Sequence, residues 1–274
     1  MGGLGAHAIC NGILIDAGSA VLPVQNREVQ NGFGVYESLR VKQGQVVYLE
    51  DHLRRLFNSA QGIGLAHEFT AVQIGAWIDM LIASDMIVDA TVRIQLMGGP
   101  EPLLFIIAST ILAYPDAWYV QGVRATTWVG ERLFPRYKTC SLLLNYLALR
   151  SAQQQKAFEA LLVDHKGRVL EGTRSNFFAF EDNTIHTAGD ELVLEGVTRD
   201  KIIKAIGILG FQLVFEAPTL DDLRSGRYSE LFISSTSMGA MPLSMLDGMG
   251  CGTDFSKTRS IHALIRKWEA EALH

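Results

Sequence analysis

Phe134-Pro-Arg-Tyr-Lys-Thr-Cys-Ser-Leu-Leu-Leu-Asn-Tyr-Leu-Ala-Leu-Arg150 places one lysine, Lys138, in a short polar turn ahead of an apolar run. Eight of the eleven residues from Leu142 on are apolar or aromatic, the composition of a packed helix. An ammonium held at the mouth of such a helix loses hydration, which favours the neutral amine. A neutral lysine amine attacks carbonyl carbon and forms a Schiff base. By itself Lys138 reads as an exposed lysine before a helix. Three further stretches change that reading.

The first is Val169-Leu-Glu-Gly-Thr-Arg-Ser-Asn-Phe-Phe-Ala-Phe180, where Glu171 lies between an apolar strand and a polar turn. A carboxylate there can pair with a protonated ring nitrogen. The second is Leu194-Glu-Gly-Val-Thr-Arg-Asp200, which opens the helical run from Lys201. Thr198 is the expected N-cap, and a helix start with open N–H groups is an anion site. The third, Leu231-Phe-Ile-Ser-Ser-Thr-Ser237, reads as a buried strand ending in hydroxyls. A Schiff-base lysine, a carboxylate for a ring nitrogen and a phosphate cradle are the parts that a pyridoxal phosphate enzyme needs.

Six motifs follow one another along the chain: Gly32-Phe-Gly-Val-Tyr-Glu37, His52-Leu-Arg-Arg-Leu56, Lys138, Glu171-Gly-Thr-Arg-Ser-Asn176, Gly196-Val-Thr-Arg199 and Ser235-Thr-Ser237. In that order they resemble the class IV, or fold type IV, pyridoxal 5′-phosphate-dependent aminotransferases. That group holds branched-chain and D-amino acid aminotransferases, (R)-selective amine transaminases and aminodeoxychorismate lyases. The resemblance implies an α+β fold, with a small α/β domain followed by a larger one built on a barrel-like β core. It implies Lys138 as the Schiff-base lysine and proton carrier, and Glu171 as partner of the pyridine nitrogen. It implies Arg55, Thr236 and the backbone N–H groups of Val197 and Thr198 at the phosphate, with Asn176 also at the cofactor. Tyr36, Arg40 and Arg93 are the implied substrate contacts. The expected reaction moves an amino group between an amino acid, of branched-chain or D type, and a 2-oxo acid in a ping-pong scheme. The alternative is a lyase of the aminodeoxychorismate type that releases pyruvate. A homodimer is also implied.

Some positions depart from the subfamilies. Leu143 stands where branched-chain enzymes carry a tyrosine, and the spacing to Asn145 resembles the D-amino acid enzymes and the lyases. Met97 replaces an arginine of the D-specific members, and Asn31 replaces a common aromatic.

Composition sets the outer limits. The 274 residues are 48% hydrophobic and 19% charged, enough for one large or two medium domains with a sizeable core. The net charge of −5 and the scattered lysines and arginines argue against nucleic acid as a partner. Cys10, Cys140 and Cys251 share no paired spacing, which fits a reducing, cytoplasmic setting. Cys140 reads as a small buried hydrophobe. The first residues carry no basic leader, and no apolar run is long enough to span a bilayer. None of the seven histidines has a paired-ligand spacing, so no metal site is expected.

The periodicities predict a hairpin around Lys42–Gln45, helices near 50–61 and 70–84, and strands at 91–97 and 103–112. Val72, Trp77, Ile78, Leu81 and Ile82 are the expected apolar positions of the second helix. Tyr114-Pro-Asp-Ala-Trp118 reads as a turn cluster between two β-rich halves. The expected division is therefore a small domain over 1–114, a passage over 115–122 and a large domain over 123–274.

Overall fold

The computed structural model describes residues 5–273. Residues 1–4, part of the stretch that carries no basic leader, lie outside the described residues. Two compact units are present. One runs to Leu112 and also takes Tyr137–Ser141 and the chain from Glu269 onward; the other holds Ala113–Arg136 and Leu142–Trp268.

The first unit contains β1 (His7–Cys10), β2 (Ile13–Asp16), α1 (Arg27–Gln30), β3 (Gly34–Lys42), β4 (Gln45–Val46), α2 (Leu49–Gly62), α3 (Ala71–Ser84), β5 (Ala90–Met97) and β6 (Leu103–Ser109). The strands form a six-stranded sheet in the order β2-β1-β6-β5-β3-β4. The predicted hairpin is β3–β4. Its turn puts Gln43 and Gly44 at positive φ, the conformation that a tight two-residue hairpin demands. Burial alternates along β3 and β5, so one sheet face is packed and the other is not. The packed face carries Val35, Leu39, Ile94 and Leu96 against Leu53, Leu56 and Ala60 of α2 and Ile74, Ile78 and Leu81 of α3. Thr70 caps α3 through a capping box with Gln73. Val72, expected on the apolar face of this helix, is instead 84% exposed. It occupies the first turn, outside the 74-78-81 stripe that meets the sheet.

In the second unit α4 (Asp116–Gln121) leads into β7 (Val123–Val129), α5 (Leu143–Gln154), β8 (Glu159–Val163), β9 (Val169–Gly172), β10 (Asn176–Glu181) and β11 (Thr184–His186). Then come α6 (Val197–Ile208), β12 (Gln212–Val214), α7 (Leu220–Arg224), β13 (Glu230–Ser235), β14 (Gly239–Leu246), β15 (Met249–Gly250) and α8 (Ser256–Glu271), whose residues from Glu269 on belong to the first unit. The order β10-β13-β14-β7-β8-β9 returns to β10 through a further β9–β10 pairing, so these strands close into a barrel. Closure removes the sheet edges. Several barrel strands are covered on both faces: β8 and β9 are buried throughout, whereas β7 is exposed at Arg124 and Val129. Among the described residues no helix is long and apolar enough to cross a membrane.

Two expectations are corrected here. The turn cluster at 114–118 is largely the start of α4, and Tyr114, Trp118 and Tyr119 pack against the barrel core. Pro115 is its N-cap residue, so the signal that suggested a turn marks a helix start. The long run after Lys138 does form a helix, but α5 begins only at Leu143 and buries Asn145, Ala148 and Ala152. Small residues let it lie close on the barrel, while Leu143 and Tyr146 remain 71% and 62% exposed.

The Phe178 and Phe232 rings stack at 4.7 Å between β10 and β13, both fully buried. Phe232→Ala should lower the unfolding free energy by about 3–5 kcal/mol, read from denaturant titration of the purified chain.

Candidate active site

In the first unit the site is organised along β3. β4 pairs only with Val41 and Lys42, which leaves the other end of that strand edge open. The 138–140 segment fills it. Tyr36 N–H donates to the Lys138 carbonyl at 3.0 Å, and Cys140 N–H donates to the Gly34 carbonyl at 2.8 Å. Lys138 N–H in turn donates to Ser59 Oγ on α2 at 3.0 Å. Three bonds therefore fix the backbone on either side of the lysine. Lys138 is half-buried and sits beside the bridge between Thr139 and Val35, five residues before α5, rather than at the helix mouth. Its neighbour is aromatic: Nζ lies 4.6 Å from the centre of the Tyr36 ring. The Arg93 guanidinium lies 4.1 Å from the same ring. Arg93 Nε also donates to Gln95 Oε1 at 3.3 Å.

The alternation of β3 explains this grouping. Tyr36, Ser38 and Arg40 share the half-buried face and register opposite Gln95, Arg93 and Thr91 of β5. Arg40 Nη1 lies 3.4 Å from Glu269 Oε2. Glu37 points the other way, into the core, where it is fully buried. Its two oxygens take Arg55 Nε at 2.6 Å and Nη2 at 2.8 Å, and Oε2 also meets His52 Nδ1 at 2.8 Å. Burial opposes the charge on Glu37, yet the Arg55 guanidinium and the bonds from Arg55 and His52 outweigh it and hold the carboxyl well below the usual range. Burial pushes the Cys140 thiol up to about 11, so it stays protonated at neutral pH and acts as packing.

In the second unit Glu171 on β9 registers directly opposite Asn176 on β10. Arg132 Nη1 donates to Glu171 Oε1 at 3.3 Å and to the Pro135 carbonyl at 3.0 Å. Leu194 N–H donates to Glu171 Oε2 at 3.2 Å, while Asn176 Nδ2 donates to the Leu194 carbonyl at 2.8 Å. The Leu194 backbone is thus held from both sides, two residues before α6. The N-cap of α6 is Gly196, with no capping side chain, and not Thr198, which lies one residue inside the helix. A Cβ on Gly196 would overlap Asn176 Oδ1, so a larger residue there would have to displace the Asn176 side chain. Val197 and Thr198 are buried, so the first N–H groups of α6 open into a sheltered place without a side-chain cap. Thr236 is half-buried in the turn between β13 and β14, beside Ser235 and Ser237, whose hydroxyls lie 3.2 Å apart.

The structure therefore brings Tyr36, Arg93 and Lys138 together in the first unit, with Arg55 held by Glu37 and Arg40 beside Glu269. In the second it brings Glu171 and Asn176 together, next to the start of α6. Arg132 and His52 were not singled out from the sequence. Arg132 meets a carboxylate 39 residues away, which no local pattern announces. His52 carried a signal in the His-Xaa-Xaa-Arg spacing, since two residues three apart share a helix face.

The profile of the family described as Amino-transferase class IV matches residues 34–246. The chain belongs to that family. Class IV members are pyridoxal phosphate enzymes, and this one is an aminotransferase that uses that cofactor. Among class IV relatives it is 32% identical to a D-alanine aminotransferase of Listeria innocua, over 88% of each chain. It is 30% identical to a putative branched-chain-amino-acid aminotransferase of Methanocaldococcus jannaschii, over 87% of each. The fold matches the branched-chain aminotransferase of Thermoproteus uzoniensis solved with norvaline: TM-score 0.85 at 24% identity, covering 98% of this chain and 96% of that one. These matches confirm the expected two-domain fold type IV architecture. They offer nothing in favour of the lyase alternative.

Gly196→Ala should destabilise the chain by about 1–3 kcal/mol through overlap with Asn176. Adding Asn176→Ala should recover part of that loss, so a double-mutant cycle on thermal unfolding should show coupling rather than additivity.

Proposed function

We propose that Lys138, Tyr36 and Arg93 form the amine-exchange centre of this aminotransferase. The observation that carries the reading is that the Lys138 amine and the Arg93 guanidinium share one tyrosine ring, at 4.6 and 4.1 Å. An α-amino acid needs a cation for its carboxylate close to the group that handles its Cα proton, and this pair offers both. Lys138 would hold the cofactor covalently through Nζ, and its released amine would carry the proton that leaves the substrate Cα. Arg93 takes the substrate carboxylate through its guanidinium fork. Tyr36 and Arg40, on the same sheet face, line the place of the side chain.

The residues fit pyridoxal 5′-phosphate. The buried, uncapped start of α6 supplies N–H donors of Val197 and Thr198 for a phosphate. Arg55 adds a guanidinium, and Thr236 a hydroxyl or N–H. Glu171 supplies a carboxylate for the pyridine nitrogen, and Asn176 holds the Leu194 backbone beside it. When bound, the cofactor supplies an aldehyde carbon that accepts the amino group and a ring that accepts the electron pair left at Cα.

For substrates we propose amino acids of the D or branched-chain class with their 2-oxo acids, in a ping-pong scheme. The names of the relatives support both classes. The working form is proposed to be a cytoplasmic homodimer, in keeping with three free cysteines.

Single D- and L-amino acids added to holoenzyme should convert the absorbance of the aldehyde form to that of the amine form within one half-reaction. A full panel that leaves the spectrum unchanged would reject the transfer reading. Lys138→Ala should slow the half-reaction by about 10²- to 10⁴-fold. Borohydride reduction and peptide mapping should place the cofactor on Lys138 and on no other lysine. Arg93→Leu should raise KM for the amino acid by about ten- to a hundredfold, with a smaller effect on kcat.

A further inference from the structure

Glu37 is a charged residue in the wrong place for stability alone. It is fully buried, as is His52, among Val35, Leu39, Leu53 and Leu56. Apolar residues of similar volume pack such a position as well as an ion pair does, or better. What the ionic group adds is direction. Its oxygens meet Nε and Nη2 of Arg55 along one edge of the guanidinium, at 2.6 and 2.8 Å. That fork sets the plane of the group and leaves its other edge, bearing Nη1, facing away from Glu37. The Arg55 side chain is 12% exposed, so the group is not sealed in the core with its partners.

His52 lies three residues before Arg55 on α2 and bonds Glu37 Oε2 through Nδ1 at 2.8 Å. Its Nε2 is buried with no hydrogen-bond partner among the described residues. A buried N–H without a partner costs more than a buried lone pair. The proton therefore sits on Nδ1, and a neutral His52 donates to the carboxylate. One donor from His52 and two from Arg55 leave Glu37 a single orientation.

We infer that Glu37 and His52 are positioning residues for Arg55: His52 fixes the carboxylate, and the carboxylate aims the guanidinium that receives the cofactor phosphate. The inference rests on the proposed role of Arg55 at the phosphate, and its test separates the two. The full-length chain, freed of cofactor, is titrated with pyridoxal phosphate and with pyridoxal, which lacks the phosphate. The ratio of the two affinities reads the phosphate contacts alone. Arg55→Ala should lower that ratio by tenfold or more; an unchanged ratio overturns the role of Arg55 itself.

With that role established, Glu37→Gln should lower the ratio by about tenfold and leave pyridoxal affinity as it was. His52→Leu should lower it severalfold, and His52→Gln, which restores an N–H donor, should recover most of the loss. A ratio unchanged in Glu37→Gln and His52→Leu, or equal losses for both ligands, overturns the positioning role and assigns the pair to core packing. Should Glu37→Gln fail to fold, His52→Leu, which keeps the Arg55 fork, decides the matter.

Discussion

A carboxylate taken out of water costs several kcal/mol unless donors converge on it. Among the carboxylates that this chain buries are Glu37, Glu159, Glu171 and Glu230, and each is met by such a set. Glu159 takes Thr173 N–H at 3.2 Å and Ser175 Oγ at 3.0 Å, which ties down the turn after Glu171. Glu230 takes the N–H groups of Lys257 and Thr258 at 3.2 and 2.9 Å and so caps the start of α8. These two settle loop and helix ends around the barrel. Buried charge here is the means by which irregular backbone acquires one geometry.

The donors divide the four into two kinds. Glu159 and Glu230 are met mainly by peptide and hydroxyl groups, whose single hydrogen is consumed by the bond. Glu37 and Glu171 each meet a guanidinium, as do the buried Asp164 and Glu269. A guanidinium has five hydrogens in a fixed plane, so binding a carboxylate on one edge fixes where the others point. A carboxylate met by arginine can therefore pass its orientation to a third group, whereas one met by peptide N–H ends the chain of interactions.

Much of this arrangement could be read in the order of residues, and the remainder fails for physical reasons. Hairpins and amphipathic helices are local: the Lys42–Gln45 turn and the helices near 50–61 and 70–84 need no distant partner. β14 is different. Pro242 lies inside it, and a proline in a run normally argues against a central strand. It is tolerated because pairing with β7 begins only at Leu243, one residue later. Thr198 looked like a cap because threonine usually is one, but the helix opens two residues earlier, at Gly196 beside the Asn176 side chain. The motifs singled out Lys138 and Glu171 as candidates. They carried no sign that the first is a strand-edge residue or that Arg132 answers the second, since both facts depend on pairings far apart in the sequence.

The setting of Lys138 then has a mechanical sense. In its proposed role Nζ must serve two atoms, the substrate's Cα and the cofactor's carbonyl carbon, so it has to move while its origin stays still. Main-chain bonds to Gly34 and Tyr36 and the bond to Ser59 hold the backbone around position 138. Mobility is left to the four-carbon side chain. The Tyr36 ring offers the ammonium a contact worth about 0.5–1 kcal/mol, enough to bias a resting position and small enough to release it.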